Sequence, residues 1–244
     1  MESAALWSGE LCMGLATLAF VLWSFRARAE DRHHYLVSIL IVAIATASYF
    51  AMSIGQTHLT LSDGHTIYIA RYLDWAFTTP LLLLGTATIG MRALNVNKTI
   101  VYGAIGADIY MIVTGLAGGL SVDSSRWVWY AFSCIGFIAV LALVWAPIRA
   151  EARKQGRAVP YARLATVLTV LWIQYPIVWL LGSEGVRALA PGPETMWYTA
   201  LDVLAKVAFG YLSLATVNRL TPAIEEGGTL VTSVAERRIP VAVR

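Results

Sequence analysis

Charge is scarce in this chain. Only 14% of its residues are charged, whereas soluble domains carry about a quarter. With 58% hydrophobic residues beside it, that shortage excludes an ordinary soluble globule and places the chain in a membrane. Cysteine is nearly absent too: Cys12 and Cys134 each stand alone in an apolar segment. Two such residues cannot build a disulfide framework or a zinc-ligand spacing, and the sequence predicts buried thiols that pack as small side chains. The N-terminus lacks a basic stretch, since Glu2 is the only charge before Glu10. The first apolar run is therefore expected to be a retained helix and not a cleaved signal. Internal repeats and low-complexity tracts are missing as well. The basic residues sit in short connections between apolar runs, which argues against nucleic acid as a partner.

What is present is length between polar breaks. Seven segments supply the roughly 20 apolar residues needed to cross a hydrocarbon core: 4–25, 35–56, 67–91, 99–120, 127–148, 164–182 and 196–218, named here A to G. Pro160 and Pro191 stand before F and G, where proline is tolerated. Fourteen of the 18 Lys and Arg residues fall on the A–B, C–D and E–F connections or the C-terminal tail, the other four being Arg71, Arg126, Arg187 and Lys206. Positive loops stay cytoplasmic, so the N-terminus is expected outside and the C-terminus inside. The fold expected is an all-α membrane protein of seven transmembrane helices in a lipid bilayer. Residues 1–222 would form the membrane domain and 223–244 a cytoplasmic tail. The connection 57–66 alternates polar and apolar residues around Asp63-Gly64, a turn signal, and predicts a short extracellular β-hairpin.

Five charges fall at membrane depth: Arg71, Asp74, Asp108, Asp202 and Lys206. Such charges are costly and mark function by default. Asp202 and Lys206 lie four apart on one face of helix G, with Asp202 one turn, roughly 5 Å, to the outer side. Arg71, Asp74 and Thr78 share a face of helix C. One lysine and one arginine facing two aspartates sum to neutrality. Charge alone leaves two readings open: an ion-pair cluster tying C to G, or a lysine in an apolar pocket poised to form a Schiff base.

The surrounding residues narrow the choice. Arg71 to Leu84 reads RYLDWAFTTPLLLL, Trp172 to Trp179 reads WIQYPIVW, and Leu201 to Val207 reads LDVLAKV. These motifs, in this order on helices C, F and G, resemble the microbial rhodopsin family, near its bacteriorhodopsin branch, over roughly residues 10–220. The resemblance implies a central retinal pocket and a light-driven outward proton pump of the inner membrane. It implies an ion transporter, not an enzyme, and a homo-oligomer. All-trans retinal would be carried on Lys206 as a protonated Schiff base. Asp74 would be counterion and proton acceptor, Asp202 the second counterion, Thr78 the hydroxyl beside the acceptor and Arg71 the cation beneath it. Tyr49, Trp75, Thr79, Met111, Tyr130, Ser133, Phe137, Trp172, Tyr175 and Trp179 would form the retinal cage, with Thr79 also tied to Asp108 across helices. Glu184 and Glu194 would form an extracellular release pair.

Gly85 departs from the branch, which has a cytoplasmic proton-donor aspartate there. Asp74, Thr78 and Gly85 together resemble a bacterial subgroup of pumps without a carboxylic donor. Reprotonation would then come through water, or from Glu30, His33 or His34, in a region that Ser38 also faces. The alternative is a slow-cycling sensory rhodopsin that signals to a transducer.

Overall fold

The computed structural model describes residues 1–91 and 97–220. The expected tail (223–244), and with it Arg237, Arg238 and Arg244, lies outside the described residues, as does Arg92. Seven long helices run in chain order: α1 (Glu2–Ser24), α2 (Arg32–Ser53), α3 (Ile69–Met91), α4 (Lys98–Leu120), α5 (Ser125–Lys154), α6 (Ala158–Leu181) and α7 (Pro191–Leu220). A two-stranded antiparallel hairpin, β1 (His58–Thr60) and β2 (Thr66–Tyr68), precedes α3. Ile67 and Tyr68 thus belong to a strand and not to the third helix as expected. They pair with Leu59 and His58, which supplies the ladder bonds that a helix start would have left open. Gly64 takes a φ of +82° in the turn, where a side chain would be strained.

Six of the helices are long and apolar enough to cross a membrane. Their outer faces are apolar as well: Leu11, Leu15, Leu18 and Leu22 form an exposed stripe along α1. A helix apolar all round belongs inside a bundle or in lipid, and these leucines face lipid. The chain is a multi-pass membrane protein. The seventh helix, α3, has the length but is more polar, with Arg71, Asp74 and four threonines. It is also the most enclosed, with fifteen of its 23 residues buried against six of 23 in α1.

Short connections make successive helices neighbours, and α7 packs back on α1 to close the bundle. Two helices carry π-helical turns, Val144–Ile148 in α5 and Leu204–Ala208 in α7. The first surrounds Pro147, which has no N–H to give its ladder, and the Tyr161 hydroxyl donates to the Val144 carbonyl at 2.7 Å. The second is centred on Lys206. Helix α6 breaks at Ile173 between Ala158–Trp172 and Gln174–Leu181. Pro160 lies inside the first turn of α6, not before it, where its missing N–H costs nothing. Cys12 is exposed on the lipid side and Cys134 half-buried, so neither is the buried packing thiol expected.

The hairpin is fastened by one carboxylate. Asp63 accepts from Arg126 Nη2 at 2.7 Å and from Arg187, and it also meets His65 Nδ1. His65 Nε2 stands 2.8 Å from the Gly119 carbonyl oxygen at the end of α4. Asp63 therefore joins the hairpin to α4, α5 and the α6–α7 connection. Asp63→Ala should strip these three partners of their acceptor and lower stability by roughly 1–3 kcal/mol. Thermal denaturation of the detergent-solubilised variant measures it, and an unchanged melting temperature would show that the cluster holds nothing.

Candidate functional site

The centre of the bundle is a buried cation between two buried carboxylates. Lys206 is 2% exposed, and Asp74 and Asp202 are fully buried. Its ammonium is ion-paired to Asp74 Oδ2 and lies 3.0 Å from Asp202 Oδ1. The π turn at Leu204–Ala208 sets Lys206 on the same inner face as Asp202, and π turns often occur where a helix is shaped for function.

The two carboxylates are held differently. Asp202 accepts from Tyr49 at 2.8 Å, Tyr175 at 2.8 Å and Trp75 Nε1 at 3.1 Å. Asp74 has Lys206 on one oxygen, while its Oδ1 has no protein partner. Thr78 does not fill that place: its hydroxyl donates to the Asp74 backbone carbonyl at 2.8 Å, the usual satisfaction of a threonine within a helix. Arg71 is buried nearby, with its guanidinium over the rings of Tyr198 at 4.4 Å and Tyr68 at 5.1 Å.

Beside this cluster lies an apolar cavity between α3, α4, α5 and α6. Trp75, Thr79, Met111, Tyr130, Ser133, Phe137, Trp172, Tyr175 and Trp179, all expected in the cage, line it. Tyr49 stands apart from it, on Asp202. Trp75 and Tyr175 belong to both places, their rings on the cavity and their polar ends on Asp202. Tyr130 stacks on Trp179 at 4.8 Å and 16°, its hydroxyl donating to the Pro176 carbonyl. The Thr79 hydroxyl lies 2.7 Å from both the Trp75 carbonyl and Asp108 Oδ2. One hydroxyl has a single proton to give, so a proton on Asp108 satisfies both contacts. The tie expected between α3 and α4 is present.

Toward the hairpin, Glu184 and Glu194 are buried side by side. The Ser183 amide donates to Glu194 at 2.9 Å, and the Ser183 hydroxyl reaches both carboxylates. Burial, and then the charge of Glu194, push Glu184 up to about 8, against the pull of Arg71. Some of the surroundings escape sequence reading. Gly115 and Cys134, which also line the cavity, could be found by helical spacing from Met111 and by adjacency to Ser133. The chain from Trp179 Nε1 to the Tyr72 hydroxyl (2.8 Å), and from there to Glu184 (3.2 Å), could not. It joins three elements through distances that no local pattern carries.

The sequence model of bacteriorhodopsin-like proteins matches residues 1–220. The chain belongs to the bacteriorhodopsin-like family. It is 40% identical to archaerhodopsin-2 of Halobacterium sp. (strain aus-2), over 87% of this chain and 84% of that protein. It is 37% identical to bacteriorhodopsin of Halobacterium salinarum, over 84% and 80% of the two chains. Among solved structures, the thermophilic rhodopsin of Rubrobacter xylanophilus superposes with a TM-score of 0.86 at 38% identity, covering 88% of this chain and 96% of that one. A light-driven proton pump, the rhodopsin of Coccomyxa subellipsoidea, gives 0.82 at 35% identity over 88% and 96%.

Retinal is the chromophore of bacteriorhodopsin-like proteins, and the residues present fit it. The Lys206 amine meets Asp202, whose donors Trp75 and Tyr175 are also walls of the aromatic cavity. Two carboxylates face the amine, so a positive charge retained on that nitrogen stays neutralised.

The Glu184 carboxyl carries a pH signature. Its folded value of about 8 lies above the ordinary 4.5, so the folded state binds the proton more tightly than the unfolded chain. This contribution to stability is full below 4.5 and is lost as pH rises through 8. The melting temperature should fall across that window, and Glu184→Gln should flatten the slope. A slope identical in the variant would remove Glu184 as its source.

Proposed function

We propose that the protein is a light-driven outward proton pump with retinal on Lys206. The observation that carries this reading is the buried Lys206 ammonium shared by Asp74 and Asp202 at the edge of the aromatic cavity. When bound, retinal would supply visible absorption and a light-driven isomerisation at the Lys206 nitrogen. The remaining work belongs to the protein. Asp202 is already held by three donors, whereas Asp74 has an oxygen without a donor, so Asp74 is the carboxylate placed to take the proton leaving the Lys206 nitrogen. Once it holds that proton, its negative charge is gone from the field on Arg71, whose ring-stacked guanidinium has no carboxylate bond among the described residues. A guanidinium turned outward favours ionisation of the Glu184–Glu194 pair and release on the hairpin side. In this reading the N-terminus and hairpin face outward, and 223–244 is a cytoplasmic tail. The buried release pair supports pumping over signalling to a transducer.

The other half of the path starts at a small cavity lined by His34, Ser38, Gly85 and Ser213. Of Glu30, His33 and His34, His34 lines it. We place reprotonation here, and with it the chain's kinship to pumps that have Asp, Thr and Gly at positions 74, 78 and 85.

Illuminated cells that express the protein with retinal should acidify their medium, and a protonophore should abolish the change. Lys206→Ala should stay colourless. Asp74→Asn should absorb to the red and lose pumping by roughly a hundredfold or more. Normal outward transport by Asp74→Asn would refute its role as acceptor.

Gly85→Asp adds the missing acid where there is room for it, since a Cβ there meets only Val37 Cγ1, at 3.6 Å. After a flash, recovery of the visible band in the wild type should slow as pH rises, because the proton comes from the cytoplasm. In Gly85→Asp it should be faster and less dependent on pH. A flat wild-type profile between pH about 6 and 9 would point to an internal donor elsewhere.

A further inference from the structure

Many threonine hydroxyls along the membrane helices share one habit, though Thr199, like Ser53 and Ser213, has no partner among the described residues. Thr17, Thr46, Thr78, Thr79, Thr86, Thr88 and Thr216 each donate to the carbonyl four residues back. That bond satisfies a polar group without leaving the helix. Ser213 departs from it. It is 9% exposed, and its Oγ is buried with no hydrogen-bond partner. It lines the cavity between α2, α3 and α7, together with His34, Ser38, Leu82 and Phe209. A buried hydroxyl without a bond is costly, and a bond to its own helix backbone is the usual relief. The hydroxyl instead stays free to bond into the cavity. Ser213 is seven residues beyond Lys206 on the same helix, roughly 10 Å toward the end that carries His34.

We propose that Ser213 is a relay residue of the cytoplasmic half-path, its hydroxyl handing protons from the His34 side toward the Lys206 nitrogen. The exchange leaves the serine unchanged: Oγ takes a proton on a lone pair from behind and releases its own ahead. A residue in this role needs both a lone pair and a proton uncommitted to its own backbone, and Ser213 has them. Gly85 lines the same cavity, and a Cβ there would meet only Val37. The assignment rests on the reading of this cavity as the reprotonation route, and it adds a third helix to that route.

Two measurements test it. In the retinal-loaded protein, Ser213→Ala should slow recovery of the visible band after a flash by roughly tenfold, the worth of one well-placed hydrogen bond. In the retinal-free protein, the S–H stretch of Ser213→Cys, taken as an infrared difference against the parent with its own Cys12 and Cys134, should shift to S–D soon after transfer to heavy water. Recovery at the wild-type rate in Ser213→Ala would overturn the relay, as would a thiol proton that does not exchange. Neither readout depends on net transport. A wild type that recovers normally but never acidifies its medium would refute the pump and leave Ser213 to be judged on these results. Ser213→Ala removes an unpaired buried hydroxyl, so its melting temperature should be no lower than that of the wild type, which separates a relay from a packing role.

Discussion

A positive charge with no water around it has to be answered by the protein, and Lys206 is answered twice. Removing both Asp74 and Asp202 would leave the Lys206 charge uncompensated in the interior, the costliest kind of defect in a low-dielectric medium. The four helices that supply these groups and their donors are therefore bound to one another around this charge. Tyr49 on α2, Trp75 on α3 and Tyr175 on α6 all donate to Asp202 on α7. Four helices converge on one carboxylate, and the bundle is organised around that point.

Aromatic side chains extend the same order outward. Trp75, Tyr175 and Trp179 each present a flat apolar face to the cavity and a polar edge to a partner behind it. Such rings cannot rotate without losing that bond, so the cavity keeps its shape by hydrogen bonds that lie outside it. A second chain runs from Trp179 through the Tyr72 hydroxyl to Glu184, and the Tyr72 ring packs edge-on against Trp75 at 5.3 Å. A change at the centre can thus be felt at the hairpin side through packed and bonded neighbours, without motion of whole helices.

Much of this is legible in the sequence, and for a physical reason. The helices declare themselves by length and apolarity, and the pair Asp202 and Lys206 by a spacing of four on one face. The hairpin is marked by Asp63-Gly64, whose turn needs the positive φ that Gly64 adopts. What stays hidden is set by tertiary distance or by side-chain torsion. The fastening of Asp63 to Arg126 and Arg187 joins residues more than 60 positions apart. Nothing in the string TTP shows that Thr78 turns to its own backbone and not to the Asp74 carboxylate. The π turn that presents Lys206 is equally silent, since Leu204–Ala208 has no proline or glycine to announce it.

The polarity of α3 bears on how the protein is made. Leucines and their kin each favour insertion by about 0.3–0.6 kcal/mol at mid-membrane, whereas a central aspartate or arginine opposes it by roughly 2.5–3.5. With Arg71, Asp74 and its threonines, α3 gains little by entering lipid alone. It becomes comfortable only when α2, α4 and α6 pack around it and Lys206 of α7 pairs with Asp74. During biogenesis, then, threading this helix into the bilayer and assembling the bundle are a single event. A nascent chain halted before α7 emerges would hold α3 without the lysine that neutralises Asp74, as a substrate for quality control and not as a half-built pump.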